Sequence, residues 1–120
     1  TGSPRLARRC RSSAATARAS ATSHTWASQR AFAAIAKAGH KAAILVNNAG
    51  VATGARLAQT DDALWAETIG ASLSGAFHCA RAAASLVMRA KDRGRIVNIT
   101  SVVGEMGNGG QVAYAASKAA

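Results

Sequence analysis

Apolar and polar positions alternate regularly over most of the chain, and the period changes from stretch to stretch. Between residues 26 and 39 Phe32, Ile35 and Ala36 recur at i, i+3 and i+4, which predicts a helix, and Gly39 is placed to stop it. After His40 and Lys41, Ala42-Ala43-Ile44-Leu45-Val46 is a continuous apolar run of strand length, the pattern of a parallel strand covered on both faces. A strand is expected near 43–47. Thr60 can cap the next helix, with Asp61 and Asp62 in its first turn. Ile69, Leu73, Phe77, Ala80, Ala84, Val87 and Met88 then follow at helical spacing, predicting one amphipathic helix over 61–90 with these residues inward. The polar run Lys91-Asp92-Arg93-Gly94 turns the chain into a second strand over 95–100. Strand, helix and strand in succession make a right-handed βαβ unit, so the fold class is α/β with parallel strands. Residues 1–25 hold no such pattern, since Leu6 and Trp26 are too far apart to share a face; they read as an irregular segment preceding a domain over 26–120.

The chemistry gathers in the last twenty residues. Ser101 is expected to end a buried strand, a loop with Gly104, Gly107, Gly109 and Gly110 follows, and a helix from about residue 112 carries Tyr114 and Lys118 at i and i+4. A phenol is a poor proton donor or acceptor near neutrality, and a neighbouring cation favours its ionised form, so the pair suits general acid/base work on a carbonyl or alcohol. Tyr-x-x-x-Lys is by itself common, an exposed Lys beside a half-buried Tyr; Ser101 and the glycines upstream narrow it. Asn47-Asn48-Ala49-Gly50 closes the first strand with small residues, which lets a ligand approach the carboxyl edge of a parallel sheet or else makes a plain turn.

With these motifs in place, residues 44–120 resemble the short-chain dehydrogenase/reductases. The resemblance rests on Asn47-Asn48-Ala49-Gly50, on Gly94 to Ile99, on Ser101-Val102-Val103-Gly104, on Met106-Gly107-Asn108-Gly109-Gly110-Gln111 and on Tyr114-Ala115-Ala116-Ser117-Lys118. The Met-Gly-Asn-Gly-Gly-Gln loop is most similar to the branch that reduces 3-oxoacyl thioesters on acyl carrier protein. The resemblance implies a Rossmann-like doubly wound parallel sheet, here as an incomplete fragment, because members are about twice as long. It implies NADP(H) or NAD(H) as cofactor, an acyl thioester on acyl carrier protein or coenzyme A as substrate, a cytoplasmic location and a homotetramer for the full-length protein. Tyr114 would pass a proton to the substrate carbonyl, Lys118 would support Tyr114 and hold the nicotinamide ribose, and Ser101 would hydrogen-bond the substrate oxygen. Asn48, Ala49 and Gly50, with Tyr114 and Lys118, would line the cofactor cleft. Two departures stand out. The family's glycine-rich opening is reduced to Thr1-Gly2, with Pro4 and Arg8 where the motif continues, so residues 1–30 are expected to be a corrupted or wrong-frame reading. Ser72 stands where members carry an Asn that supports a proton relay. Other alcohol or ketone dehydrogenases of the family, an acetoacetyl-CoA reductase among them, and a non-catalytic basic segment are the alternatives.

Charge changes this picture little. Residues 1–60 hold nine Arg or Lys and no acid, while residues 61–120 hold six basic and five acidic residues. A basic half invites a nucleic acid, but no aromatic ladder, helix-turn-helix pattern or zinc spacing accompanies it, and no nucleic-acid partner is expected. The longest charge-free stretches, 42–55 and 68–80, are 14 and 13 residues, short of the roughly 20 that cross a bilayer. Cys10 and Cys79 read as free thiols, and no histidine or cysteine has metal-ligand spacing.

Overall fold

The computed structural model describes residues 24–120, with side chains from residue 27; the expectations for the segment 1–25 and its glycine-poor opening lie outside the described residues apart from the helical backbone of residues 24 and 25. The elements are α1 (His24–Lys37), β1 (Ile44–Asn47), α2 (Asp62–Ile69), a π turn (Gly70–Ser74), α3 (Gly75–Arg89), β2 (Arg95–Asn98), α4 (Val102–Met106) and α5 (Val112–Ala119). Short 3-10 turns occupy Leu57–Gln59 and Lys91–Arg93.

α1 ends as expected. Gly39 takes φ +72°, His40 N–H reaches back to the Ile35 carbonyl and Gly39 N–H to that of Ala36, a Schellman closure that needs the left-handed residue glycine supplies. β1 and β2 pair in parallel, with Ile44 opposite Arg95, Leu45 opposite Ile96, Val46 opposite Val97 and Asn47 opposite Asn98. Both strands stop at their Asn, so Ser101 does not end a strand as expected but lies three residues past β2, whose residues are all exposed.

The helix expected over 61–90 is present with a break in its bonding. The Gly75 N–H donates to the Gly70 carbonyl, five residues back, between two regular helical stretches. Its cap is Asp61 instead of Thr60: the carboxylate accepts from Leu64 N–H at 2.8 Å, whereas the Thr60 hydroxyl donates to the Arg56 carbonyl. The inward face also differs from expectation. Phe77 and Met88 are 56% and 76% exposed, and the buried stripe is Thr68, Ser72, Ala83, Leu86 and Val87. Small side chains let the backbone of α3 approach α1 and β1 closely, which the larger Phe77 and Met88 would prevent. Phe32, Leu45, Ala83, Leu86 and Val87 form the core between α1, β1 and α3.

The expectation that the first strand is covered on both faces is corrected. Leu45 is buried against α3, but Ile44 and Val46, which point the other way, are 62% and 54% exposed, because no element among the described residues lies on that side.

Candidate functional site at the carboxyl edge of the sheet

The two strand ends are tied together before the site begins. The Asn47 side-chain amide donates to Asn98 Oδ1 at 2.8 Å and to the Ala76 carbonyl of α3 at 3.4 Å, so in-register asparagines join β1, β2 and α3 at one point. Beyond it the chain runs through Asn48, Ala49 and Gly50, all exposed. Val51 N–H donates to Ser72 Oγ at 3.3 Å, fastening this turn to the π turn. A Cβ on Gly50 would lie 3.2 Å from Ser72 Oγ, a tight contact that glycine avoids, and 3.6 Å from Lys118 Nζ, which therefore lies just beyond the turn.

From the other strand, α4 starts at Ser101, whose hydroxyl accepts from Val103 N–H at 3.3 Å and keeps its own O–H free to donate. Part of the stretch expected as a glycine-rich loop is thus helical. The remainder turns through Gly107 and Gly110, at φ +72° and +81°, closed by Asn108 Nδ2 donating to Gln111 Oε1 at 2.6 Å. Gln111 then bridges to Ala55, bringing the loops that follow the two strands together.

α5 begins at Val112, as expected from the sequence, and presents Tyr114 and Lys118 one turn apart. The Lys118 ammonium lies 6.0 Å from the Tyr114 ring centre and donates to the Ile99 carbonyl at 2.8 Å. The Tyr114 phenol makes no hydrogen bond among the described residues and is half-buried, like Lys118 and Ser101. Lys118 is therefore the residue the fold brings to both strand ends, near Gly50 on one side and Ile99 on the other. A cavity of about 440 Å³ opens beside it, lined by Asn47, Asn98, Thr100, Ser72, Phe77 and Lys118 among others; Ser101, Tyr114 and the Asn48–Gly50 turn do not line it.

Sequence reasoning missed Thr100, and placed Gly104 in the loop without its contact to Lys118. The Thr100 hydroxyl donates to the Lys118 backbone carbonyl, and Gly104 packs against that same carbonyl. No spacing rule couples them to residue 118. It also passed over Asn47 and Asn98 as a pair, though each stands at the end of a predicted strand. His78 and Cys79 belong to packing: the His78 ring lies 5.4 Å from that of Phe77, and Cys79 packs against the core. No group of metal ligands exists among the described residues, nor any helix long and apolar enough to cross a membrane.

A family model described as short chain dehydrogenase matches residues 5–120. The 3-oxoacyl-[acyl-carrier-protein] reductase FabG of Escherichia coli is 47% identical over 76 residues, 63% of this chain and 31% of that protein. The 3-oxoacyl-[acyl-carrier-protein] reductase of Synechocystis is 45% identical over 76 residues, 63% of this chain and 30% of that protein. The chain thus spans about a third of the length of the curated relatives it matches. Among solved structures, one described as a short-chain alcohol dehydrogenase from Sinorhizobium meliloti superposes with a TM-score of 0.72 at 36% identity, over 79% of this chain and 37% of that one.

Proposed function

Because the chain belongs to the short-chain dehydrogenase family, we propose that it contributes the proton-transfer side of an NADPH-dependent site that reduces a 3-oxoacyl thioester to the 3-hydroxy form. One observation carries this reading: a lysine ammonium is held at the carboxyl edge of the parallel sheet, between the turn after β1 and the end of β2, one helical turn from a phenol with no hydrogen-bond partner among the described residues.

The residues present fit a nicotinamide nucleotide on one side. Asn48, Ala49 and Gly50 leave exposed backbone where the sheet ends, Gly50 keeps the space a Cβ would fill, and Lys118 supplies a cation for ribose hydroxyls. When bound, the nicotinamide supplies the hydride. Tyr114 gives its phenolic proton to the substrate carbonyl oxygen as negative charge grows there, and Lys118 steadies the phenolate left behind. Ser101, whose oxygen already accepts from Val103 N–H, donates its hydroxyl proton to the same carbonyl oxygen. The acyl-carrier-protein relatives support a carrier-bound acyl thioester; the likeness to an alcohol dehydrogenase supports a plain ketone as the second reading.

A chimera tests it: residues 44–120 replace the corresponding stretch of the Escherichia coli reductase, and NADPH oxidation is followed with acetoacetyl thioesters and with unactivated ketones. Turnover of the thioester is expected, falling about 10²- to 10⁴-fold in Tyr114→Phe, the range a positioned general acid contributes. A folded chimera that binds NADPH yet turns over neither substrate refutes the reading. Preference for the ketone selects the second.

A further inference from the structure

We infer that Thr100 and Gly104 are positioning residues for Lys118, and that the segment 99–104 grips this lysine by head and backbone at once. The head is held by the Ile99 carbonyl, which accepts from Nζ at 2.8 Å. The backbone is held by the Thr100 hydroxyl, which donates to the Lys118 carbonyl. Gly104, one turn further on, makes the second grip possible. A Cβ there would stand 2.6 Å from the Lys118 carbonyl oxygen, 2.7 Å from its carbon and 3.0 Å from Ala119 N. All three are backbone atoms, so no side-chain rotation can relieve the overlap, and α4 and α5 would have to move apart.

The arrangement constrains the ammonium more than either contact alone. A lysine side chain has four rotatable bonds and loses much rotamer freedom when fixed, so one hydrogen bond at the head is a weak restraint if the backbone beneath it drifts. With the carbonyl clamped by Thr100 and the helix seated on Gly104, the reach from Cα to the Ile99 carbonyl is set. The same seat puts Nζ beside Gly50 and over the Tyr114 ring. The inference rests on the reading of Lys118 as the site's reactive cation, but its grip can be measured without cofactor or substrate.

The test is competitive acetylation of the 120-residue chain with limiting acetic anhydride, read by mass spectrometry as the reactivity of Lys118 relative to the exposed Lys91 in the same molecule. Thr100→Val and Gly104→Ala are each expected to raise that ratio about three- to tenfold, as a charge-assisted hydrogen bond is lost. Thr100→Ser, which keeps the hydroxyl, should leave it near the parent value. Leu86→Ala loosens the core between α1, β1 and α3 and reports general loosening. An unchanged ratio in folded Thr100→Val, or an equal rise in Leu86→Ala, overturns the inference; the Thr100 pair decides even if Gly104→Ala does not fold. An inactive chimera with a ratio that responds as expected refutes the assigned reaction and leaves the grip standing. An active chimera with an unresponsive ratio refutes the grip alone.

Discussion

Thr68 is fully enclosed, and both bonding capacities of its hydroxyl are used: it donates to the Leu64 carbonyl at 2.8 Å and accepts from Thr53 Oγ1 at 2.6 Å. This pair ties the loop after β1 to the helix that follows it. Thr68→Val keeps the shape and removes the bonds, leaving a half-buried Thr53 hydroxyl unpartnered, and is expected to cost about 1–2 kcal/mol in urea unfolding of the chain. Thr53→Ala added to it should cost little more, because the two act as one contact. Full additivity in that double mutant would contradict the assignment. At this scale Tyr114 and Lys118 were legible, since four residues make one helical turn. Thr68 was not, because its partner is fixed by the path of a loop that no local pattern describes.

Among the elements, the junction of α3 with β2 is the tightest. A Cβ on Gly94 would overlap the Val87 carbonyl oxygen and come to 3.2 Å of Val87 Cγ1, so the turn after α3 folds directly onto the helix it leaves. Gly94→Ala is expected to destabilise the chain by about 1–3 kcal/mol, the usual cost of forcing atoms into packed space. The urea midpoint should fall while far-ultraviolet circular dichroism in water stays unchanged; a midpoint equal to the parent's would mean that the close approach is relaxed in solution. Helix and strand identity were readable here because a period of 3.6 and a short apolar run of strand length are local properties. The inward stripe of α3 was misjudged because a helix this rich in alanine has more than one apolar face, and large side chains mark the wrong one. Close approach to α1 selected Ala83, with Leu86 and Val87 beside it, and left Phe77 under the Arg81 guanidinium, 5.1 Å from its ring.

For the molecule as a whole, the described residues contain the Tyr114–Lys118 pair at the sheet edge but no glycine-rich turn leading from a strand straight into a helix. β1 is followed by a long irregular stretch before the Leu57–Gln59 turn, and the first helical N–H groups after β2 lie at Ser101, whose own hydroxyl caps them. A dinucleotide's pyrophosphate needs free backbone donors at such a helix start. Titration of the 120-residue chain with NADPH, followed by nicotinamide fluorescence, is therefore expected to show no saturation in the micromolar range at physiological salt; saturation there, abolished by Lys118→Ala, would show that donors outside residues 24–120 complete the site. The order of elements and the helical partnership of Tyr114 with Lys118 were determined by the sequence itself, because each depends on spacing within a few residues, and the parallel pairing followed from the handedness of a strand, helix and strand in succession. Which face of α3 is buried, that β1 is covered on one side only, and that Lys118 is held by Ile99 and Thr100 were decided by tertiary structure. The contacts of Lys118 join residues 18 or 19 positions apart, and the side-chain bond of Asn47 to Asn98 joins residues 51 apart; such contacts exist only once the chain has closed around them.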